Sequence, residues 1–137
     1  MTKGQFDNPE LPTPERLEQL LQGNQPEALT EALIGLALGS SDLDWAFRVI
    51  TSPNVTGHAD AGVRGAAVLS LGHLARIHRH LPVDPSAALI QSALNDPDPW
   101  VRGQAENALS DVGTYAPEVA KVCQVRIDHG SRSESRG

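Results

Sequence analysis

A nine-residue segment of this chain occurs twice, and the two copies begin 38 residues apart. Residues 63–71 have the sequence VRGAAVLSL, and residues 101–109 have the sequence VRGQAENAL. A weaker, earlier copy lies within residues 26–39, where an alanine and a leucine recur with the same spacing. A period of this length is typical of arrays in which each unit buries its apolar face against the next. The chain is therefore expected to fold as a few stacked, similar units.

The repeated segment has the periodicity of a helix. Apolar side chains three or four residues apart fall on one helical face, and the second copy places Val101, Ala105, Ala108 and Val112 there. Alanines on that face let a neighbouring helix approach closely. No segment alternates apolar and polar residues over a useful length, and aromatic residues make up only 4% of the chain. The pattern predicts an all-α fold.

Prolines, glycines and capping residues divide the chain into seven predicted helices joined by short connections. They are predicted to span roughly 14–22, 26–38, 42–52, 61–80, 85–94, 100–112 and 116–128. Residues 54–60 are predicted to be a loop. The helices form one domain over 14–129, between an N-terminal arm at 1–13 that we expect to be flexible and a tail at 130–137. The tail is rich in serine, arginine and glycine and is expected to be disordered.

A proline-rich turn precedes the second copy. Residues 95–102 have the sequence NDPDPWVR and are followed by Ala105 and by the pair Ala108-Leu109. This arrangement resembles a HEAT repeat, including the subtype known from phycobilisome-lyase-like proteins. The match is good over 85–113, moderate over 42–75, where the turn is longer, and weak over 14–39.

The resemblance carries expectations about fold and function. It implies a small stand-alone protein of bacterial type, folded as a short right-handed α-solenoid of about three helical hairpins plus a C-terminal capping helix. Folds of this kind usually serve as scaffolds for protein binding.

The turn supplies polar residues that we interpret as structural. Asp96 and Asp98 are expected to cap the helix and to pair with Arg102, rather than to act as a catalytic pair. Arg102 lies near the helix start, where it can reach a carboxylate in the turn of its own or the preceding unit. The residues expected to hold the repeats together are Val63, Arg64, Ala67, Leu71, Asp96, Asp98, Val101, Arg102, Ala105 and Leu109.

The chain offers few candidates for chemistry. His73 and His78 are five residues apart, which does not give the i, i+4 spacing of a helical metal-ligand pair, and His80 projects in another direction. The aspartates of the turn have no nearby serine, cysteine or histidine to complete a catalytic set. Cys123 lies among valines and is interpreted as a small buried side chain. We expect no catalytic residue, no metal and no cofactor.

The side of the 61–80 helix that faces away from the core carries candidate partner-binding residues. Val68 and Leu69 are predicted there, whereas the second copy is polar at the same positions. Two interpretations stay open: a neighbouring helix or the N-terminal arm covers these side chains, or they form a patch for a protein partner. The candidate patch consists of Val68, Leu69, His73, Arg76, Arg79, Trp100 and Asn107.

The charge is unevenly distributed. The formal net charge is −6, and residues 1–62 carry all of this excess, with nine acidic and three basic residues. An acidic balance argues against nucleic-acid binding, which needs a basic surface. No apolar run is long enough for a membrane span. Because the N-terminus lacks the apolar segment of a secretory signal and there is one cysteine, a cytoplasmic protein is expected.

These observations favour a non-enzymatic module that binds a protein partner. The most concrete hypothesis is an immunity-type protein that neutralises a toxin domain by direct binding. Many toxin domains are basic nucleases, and an acidic protein associates rapidly with a basic surface. The acids that would supply this field include Glu15, Glu18, Glu27, Glu31, Asp42 and Asp44. Two alternatives are an adaptor subunit of a larger complex and, by analogy with the repeat subtype, a phycobilin-lyase-like protein.

Overall fold

Proline and aspartate mark where most of the helices begin. The computed structural model describes residues 10–124. Five helices begin with a proline, at a position where its missing N–H leaves no hydrogen bond unmade. Asp42, Asp60 and Asp98 cap three helices by accepting a backbone N–H at 3.1, 3.2 and 2.8 Å respectively. The helices are α1 (Pro14–Gln22), α2 (Pro26–Gly39), α3 (Leu43–Ile50), α4 (Pro53–Thr56), α5 (Ala61–His78), α6 (Val83–Leu94) and α7 (Pro99–Tyr115), followed by α8, which runs from 117 to the last described residue, 124.

The all-α prediction is confirmed, since residues 10–124 form helices and no strand. The count of seven is wrong, because part of the predicted loop at 54–60 belongs to the one-turn helix α4. Two boundaries also differ. α5 ends at His78, where Arg79 takes the left-handed conformation with φ 65°, and α7 continues to Tyr115.

The longer helices α2, α5 and α7 lie side by side. α5 is the central helix, because α2 and α7 pack along it and α3, α4 and α6 also contact it. Positions near the start of α5 lie against the start of α7, and Gly72 lies against Asp111 further along both helices. α5 and α7 therefore run in the same direction and in register with the 38-residue repeat.

The core is built from small aliphatic side chains, as the composition indicates. Leucine, isoleucine, valine and alanine supply nearly all of the buried residues of the described chain. Cys123 is fully buried, and its thiol donates to the carbonyl oxygen of Ala87 at 3.9 Å. Of the repeat residues expected to face the core, Leu109 is half-buried and packs against it, and the fully or almost fully buried ones are Val63, Ala67, Leu71, Val101 and Ala105.

The prediction of Val68 as a partner-binding residue is wrong, because its side chain is 0% exposed. Of the two interpretations, the one in which a neighbouring helix covers this side chain holds for Val68. Gly65 and Gly72 of the same helix are also buried. The reason is the central position of α5, since helices on several sides leave only a narrow stripe of it open. Leu69 lies on that stripe and is half-exposed.

Several expectations lie partly or wholly outside the described residues. These are the arm at 1–13, of which 1–9 are not described, the end of the last helix near 128, and the tail at 130–137. Within 10–124, no helix is both long and apolar enough to cross a membrane.

Replacing Val68 by aspartate is expected to lower the free energy of unfolding by at least about 4 kcal/mol, because a carboxylate would be buried without a partner. The neighbouring Leu69→Asp is the matched control and is expected to cost about 1 kcal/mol or less, since this side chain reaches water. Urea denaturation of both variants measures the difference. Equal losses would show that the two positions do not differ in burial.

Candidate functional site

Two equivalent arginines fasten the turns that precede α5 and α7. The Nη1 group of Arg64 donates to the carbonyl oxygens of His58 and Ala59 at 2.8 and 3.1 Å. Arg102, 38 residues later, uses Nη1 in the same way on the carbonyl oxygens of Asp96 and Pro97, at 2.7 and 3.1 Å. The repeated arginine therefore has one local role, which is to fold its own turn back onto the helix start.

Arg64 has a second role, which links consecutive units. Its Nε and Nη2 groups donate to the two carboxylate oxygens of Asp96 at 2.9 and 3.0 Å. The two side chains are only 19% and 12% exposed, so solvent screens this bidentate pair weakly. The hydrogen bond from Arg64 is the main cause that holds the pKa of Asp96 below its ordinary value, and the same bond raises the pKa of Arg64.

The predicted pairing of Asp96 and Asp98 with Arg102 is wrong. The Asp96 carboxylate is engaged by Arg64, and its Oδ1 also accepts the backbone N–H of Asp98 at 2.9 Å. Asp98 does cap α7, as expected. Arg102 instead donates to carbonyl oxygens, since both carboxylate oxygens of Asp96 accept hydrogen bonds from Arg64 of the preceding unit. Sequence reasoning missed this link, although the repeat places an arginine at both positions.

One side of the α2–α5–α7 layer is open to solvent, and equivalent positions of the repeat line it. On α5 the accessible stripe contains Leu69, His73 and Arg76, four and three residues apart. Asn107 on α7 is the equivalent of Leu69, and it is exposed. The structure thus brings four of the predicted partner-binding residues onto adjacent stripes of neighbouring helices.

Trp100 is the largest exposed side chain near this side, at 57% exposed. Its indole ring rests on Gly65 of α5, where an added Cβ would lie 2.8 Å from Nε1 and 3.1 Å from Cδ1. The ring is therefore supported by helix backbone while more than half of the residue faces water. Rigid, exposed tryptophans of this kind are enriched among residues that dominate binding energy.

His73 and Arg79 interact with other residues of the chain more than the sequence indicates. Burial lowers the pKa of the half-buried His73, and the nearby Arg76 lowers it further, while Asp111 acts in the opposite direction. The imidazole is therefore neutral at pH 7. The guanidinium of Arg79 lies 5.0 Å from the centre of the Tyr115 ring, so this exposed residue also ties α5 to α7.

The open side continues onto α2, which sequence reasoning missed. The weak first copy equates residues 27, 34 and 38 with 62, 69 and 73. Glu27 is exposed, and Ile34 and Leu38 are half-exposed. We call the combined surface the open face; it comprises Glu27, Ile34, Leu38, Leu69, His73, Arg76, Trp100 and Asn107. Its apolar centre lies between the acidic side chain of Glu27 on α2 and the basic side chain of Arg76 on α5.

The part of the chain that the structure describes contains no group of three or more His, Cys, Asp or Glu side chains placed to hold a metal ion. The grooves on the surface of the described residues are open to solvent. One of about 440 Å³ lies between the α4 region and α6, lined by residues such as Thr51, Pro53 and Leu89.

Comparison with known proteins gives one structural likeness. No family model and no curated protein matches the chain. A chain in the crystal structure of a CDI complex from Cupriavidus taiwanensis LMG 19424 is similar in fold, with a TM-score of 0.66 and 27% sequence identity. The similarity covers 80% of this chain and 96% of that chain. The resemblance to HEAT repeats has no matching family model behind it and stays a prediction.

Asp96→Asn is expected to lower the free energy of unfolding by about 1–2 kcal/mol at neutral pH, because it removes the charge that Arg64 binds. The folded state lowers the pKa of Asp96, so the carboxylate stabilises the fold above its ordinary value of 3.8 and loses this effect as the pH falls below it. The difference between wild type and variant should therefore shrink in acid.

Denaturation curves at several pH values measure this effect. Glu106→Gln, at an exposed position of α7, is the control and should change stability little. A stability difference for Asp96→Asn that is constant from neutral pH to strong acid would contradict the role of the ion pair.

Proposed function

We propose that this chain is an immunity-type protein that binds a toxin domain and neutralises it without catalysis. The observation that carries the proposal is the likeness to a chain of a CDI complex, which extends over nearly the whole of that chain. An identity of 27% supports a shared fold and a related mode of action. We infer that both chains are the immunity-type members of their complexes.

The open face is the surface that we propose for the toxin domain. It has a supported aromatic side chain at Trp100, half-exposed leucines and isoleucine in its centre, and charged side chains at its edges. Arginine and tryptophan often anchor protein interfaces, and a polar rim excludes water around them. Of the predicted partner-binding residues, Val68 is excluded by its burial, and Arg79 contributes from the edge.

The acidic half of the chain supplies the long-range attraction. Glu15, Glu18, Glu27, Glu31, Asp42 and Asp44 are all exposed, so their charges act in solution. A field of this sign raises the association rate with a basic protein and has less effect at high salt. A basic toxin domain is therefore the partner whose charge complements this chain. The proposal includes a cytoplasmic site of action, where an immunity protein would meet a toxin that has entered the cell.

The direct test is co-expression with the protein encoded by the adjacent gene. That protein alone is expected to arrest growth, and co-expression of this chain is expected to restore growth and to yield a complex that co-purifies. The Val68→Asp variant is expected to protect poorly, because its buried carboxylate destabilises the fold. If the adjacent protein is harmless, or is toxic but unaffected by this chain, the immunity proposal is wrong and the adaptor alternative gains support.

Trp100→Ala is expected to weaken binding to the toxin domain by about tenfold to a hundredfold, because it removes the main apolar anchor of the open face. Its stability should change little, since the ring is largely exposed. Lys121→Ala, at an exposed position of α8 outside the open face, is the control and should bind like wild type. Calorimetric titration measures both, and equal affinities would place the interface elsewhere.

A further inference from the structure

The two repeat arginines are held alike, but only one binds a carboxylate. In each, Nη1 is fixed by two carbonyl oxygens of its own turn. This leaves the edge formed by Nε and Nη2, which in Arg64 donates to both carboxylate oxygens of Asp96 in the following unit. The same edge of Arg102 has no partner among residues 10–124, and this side chain is exposed. Arg102 therefore presents a pre-oriented fork for a carboxylate.

The glycine that follows each arginine is likewise covered in one unit and open in the other. Gly65 provides the backbone surface on which the ring of Trp100 rests. Gly103, its equivalent on α7, is only partly covered, and a Cβ added there would meet no described atom within 4 Å. The side of α7 that faces away from α5 thus combines an arginine fork with a bare stretch of backbone suited to a flat ring.

We propose that Arg102 and Gly103 form a socket that takes a carboxylate and an aromatic ring from a bound protein partner. A contact of the same kind occurs within the chain, where Asp96 binds Arg64 and the ring of Trp100 rests on Gly65. The partner segment is therefore one in which an acidic residue precedes an aromatic residue by four positions, as Asp96 precedes Trp100. The inference rests on the proposed function for the existence of a partner, and it adds a contact at the C-terminal end of the array.

The rest of the chain does not supply the two groups in this order. Residues 1–9 contain Phe6 and Asp7, but there the acidic residue directly follows the aromatic one instead of preceding it by four residues. Residues 125–137 contain Asp128 and Glu134 but no tryptophan, tyrosine or phenylalanine. The Asp96–Trp100 pair of a second copy is already engaged with its own α5. A partner protein is therefore the occupant that fits the two features together.

A peptide probe tests the socket without the toxin domain. The peptide acetyl-Asp-Pro-Asp-Pro-Trp-amide, which copies residues 96–100, is titrated into the full chain labelled with ¹⁵N. The amide of Gly103 and the Nε–H of Arg102 are expected to shift. Arg102→Gln and Gly103→Leu should each weaken binding by about tenfold or more. Gly113→Leu is the matched control, because a Cβ at this glycine of α7 also meets no described atom within 4 Å.

The outcomes separate the socket from the proposed function. No shift at Arg102 and Gly103 with millimolar peptide, or equal affinity in Gly103→Leu and Gly113→Leu, overturns the socket. Light scattering on the titrated samples excludes pairing of two copies, and a peptide-dependent dimer would also overturn it. A peptide that binds as expected while co-expression gives no protection contradicts the immunity proposal and leaves the socket standing.

Discussion

The close approach of α5 and α7 depends on two glycines, and much of the molecule's geometry follows from it. A Cβ at Gly65 would lie 2.8 Å from the Trp100 ring, and a Cβ at Gly72 would lie 2.6 Å from the carboxylate of Asp111. Larger side chains at these positions would push the helices apart. With the helices in contact, Arg64 reaches Asp96, and the accessible stripes of α5 and α7 form one continuous surface rather than two separate ridges.

The features that the sequence predicts well are local ones. Helix starts at proline and aspartate, the apolar faces and the repeat depend on neighbouring residues, and the structure has them. Val68 illustrates what local patterns miss, because its burial depends on how many helices surround α5. The Arg64–Asp96 pair joins side chains 32 residues apart. Whether Asp96 pairs with Arg64 or with Arg102 depends on how one unit packs on the next. The acidic edge at Glu27 was missed because the first copy of the repeat has diverged most.

The functional surfaces have a common origin in the repeat. Positions that bury alanine and leucine are kept between copies, whereas the solvent-facing positions differ: Leu69 and His73 on α5 stand where α7 has Asn107 and Asp111. Stacking such units therefore gives a constant interior and a variable exterior. A partner can be recognised through the variable positions without any change to the packing, and this separation of roles fits a protein whose specificity lies on one face.

The Arg64–Asp96 ion pair affects the order in which the array unfolds. Arg64 joins the unit of α5 to the unit of α7, but the first copy, aligned as above, has the buried Leu29 at the position equivalent to Arg64. In the described part of the chain, Arg64–Asp96 is the ion pair that joins one unit to another, so α1 and α2 are attached mainly by apolar packing. We therefore expect the N-terminal hairpin to exchange its amide protons before the C-terminal units that this ion pair joins.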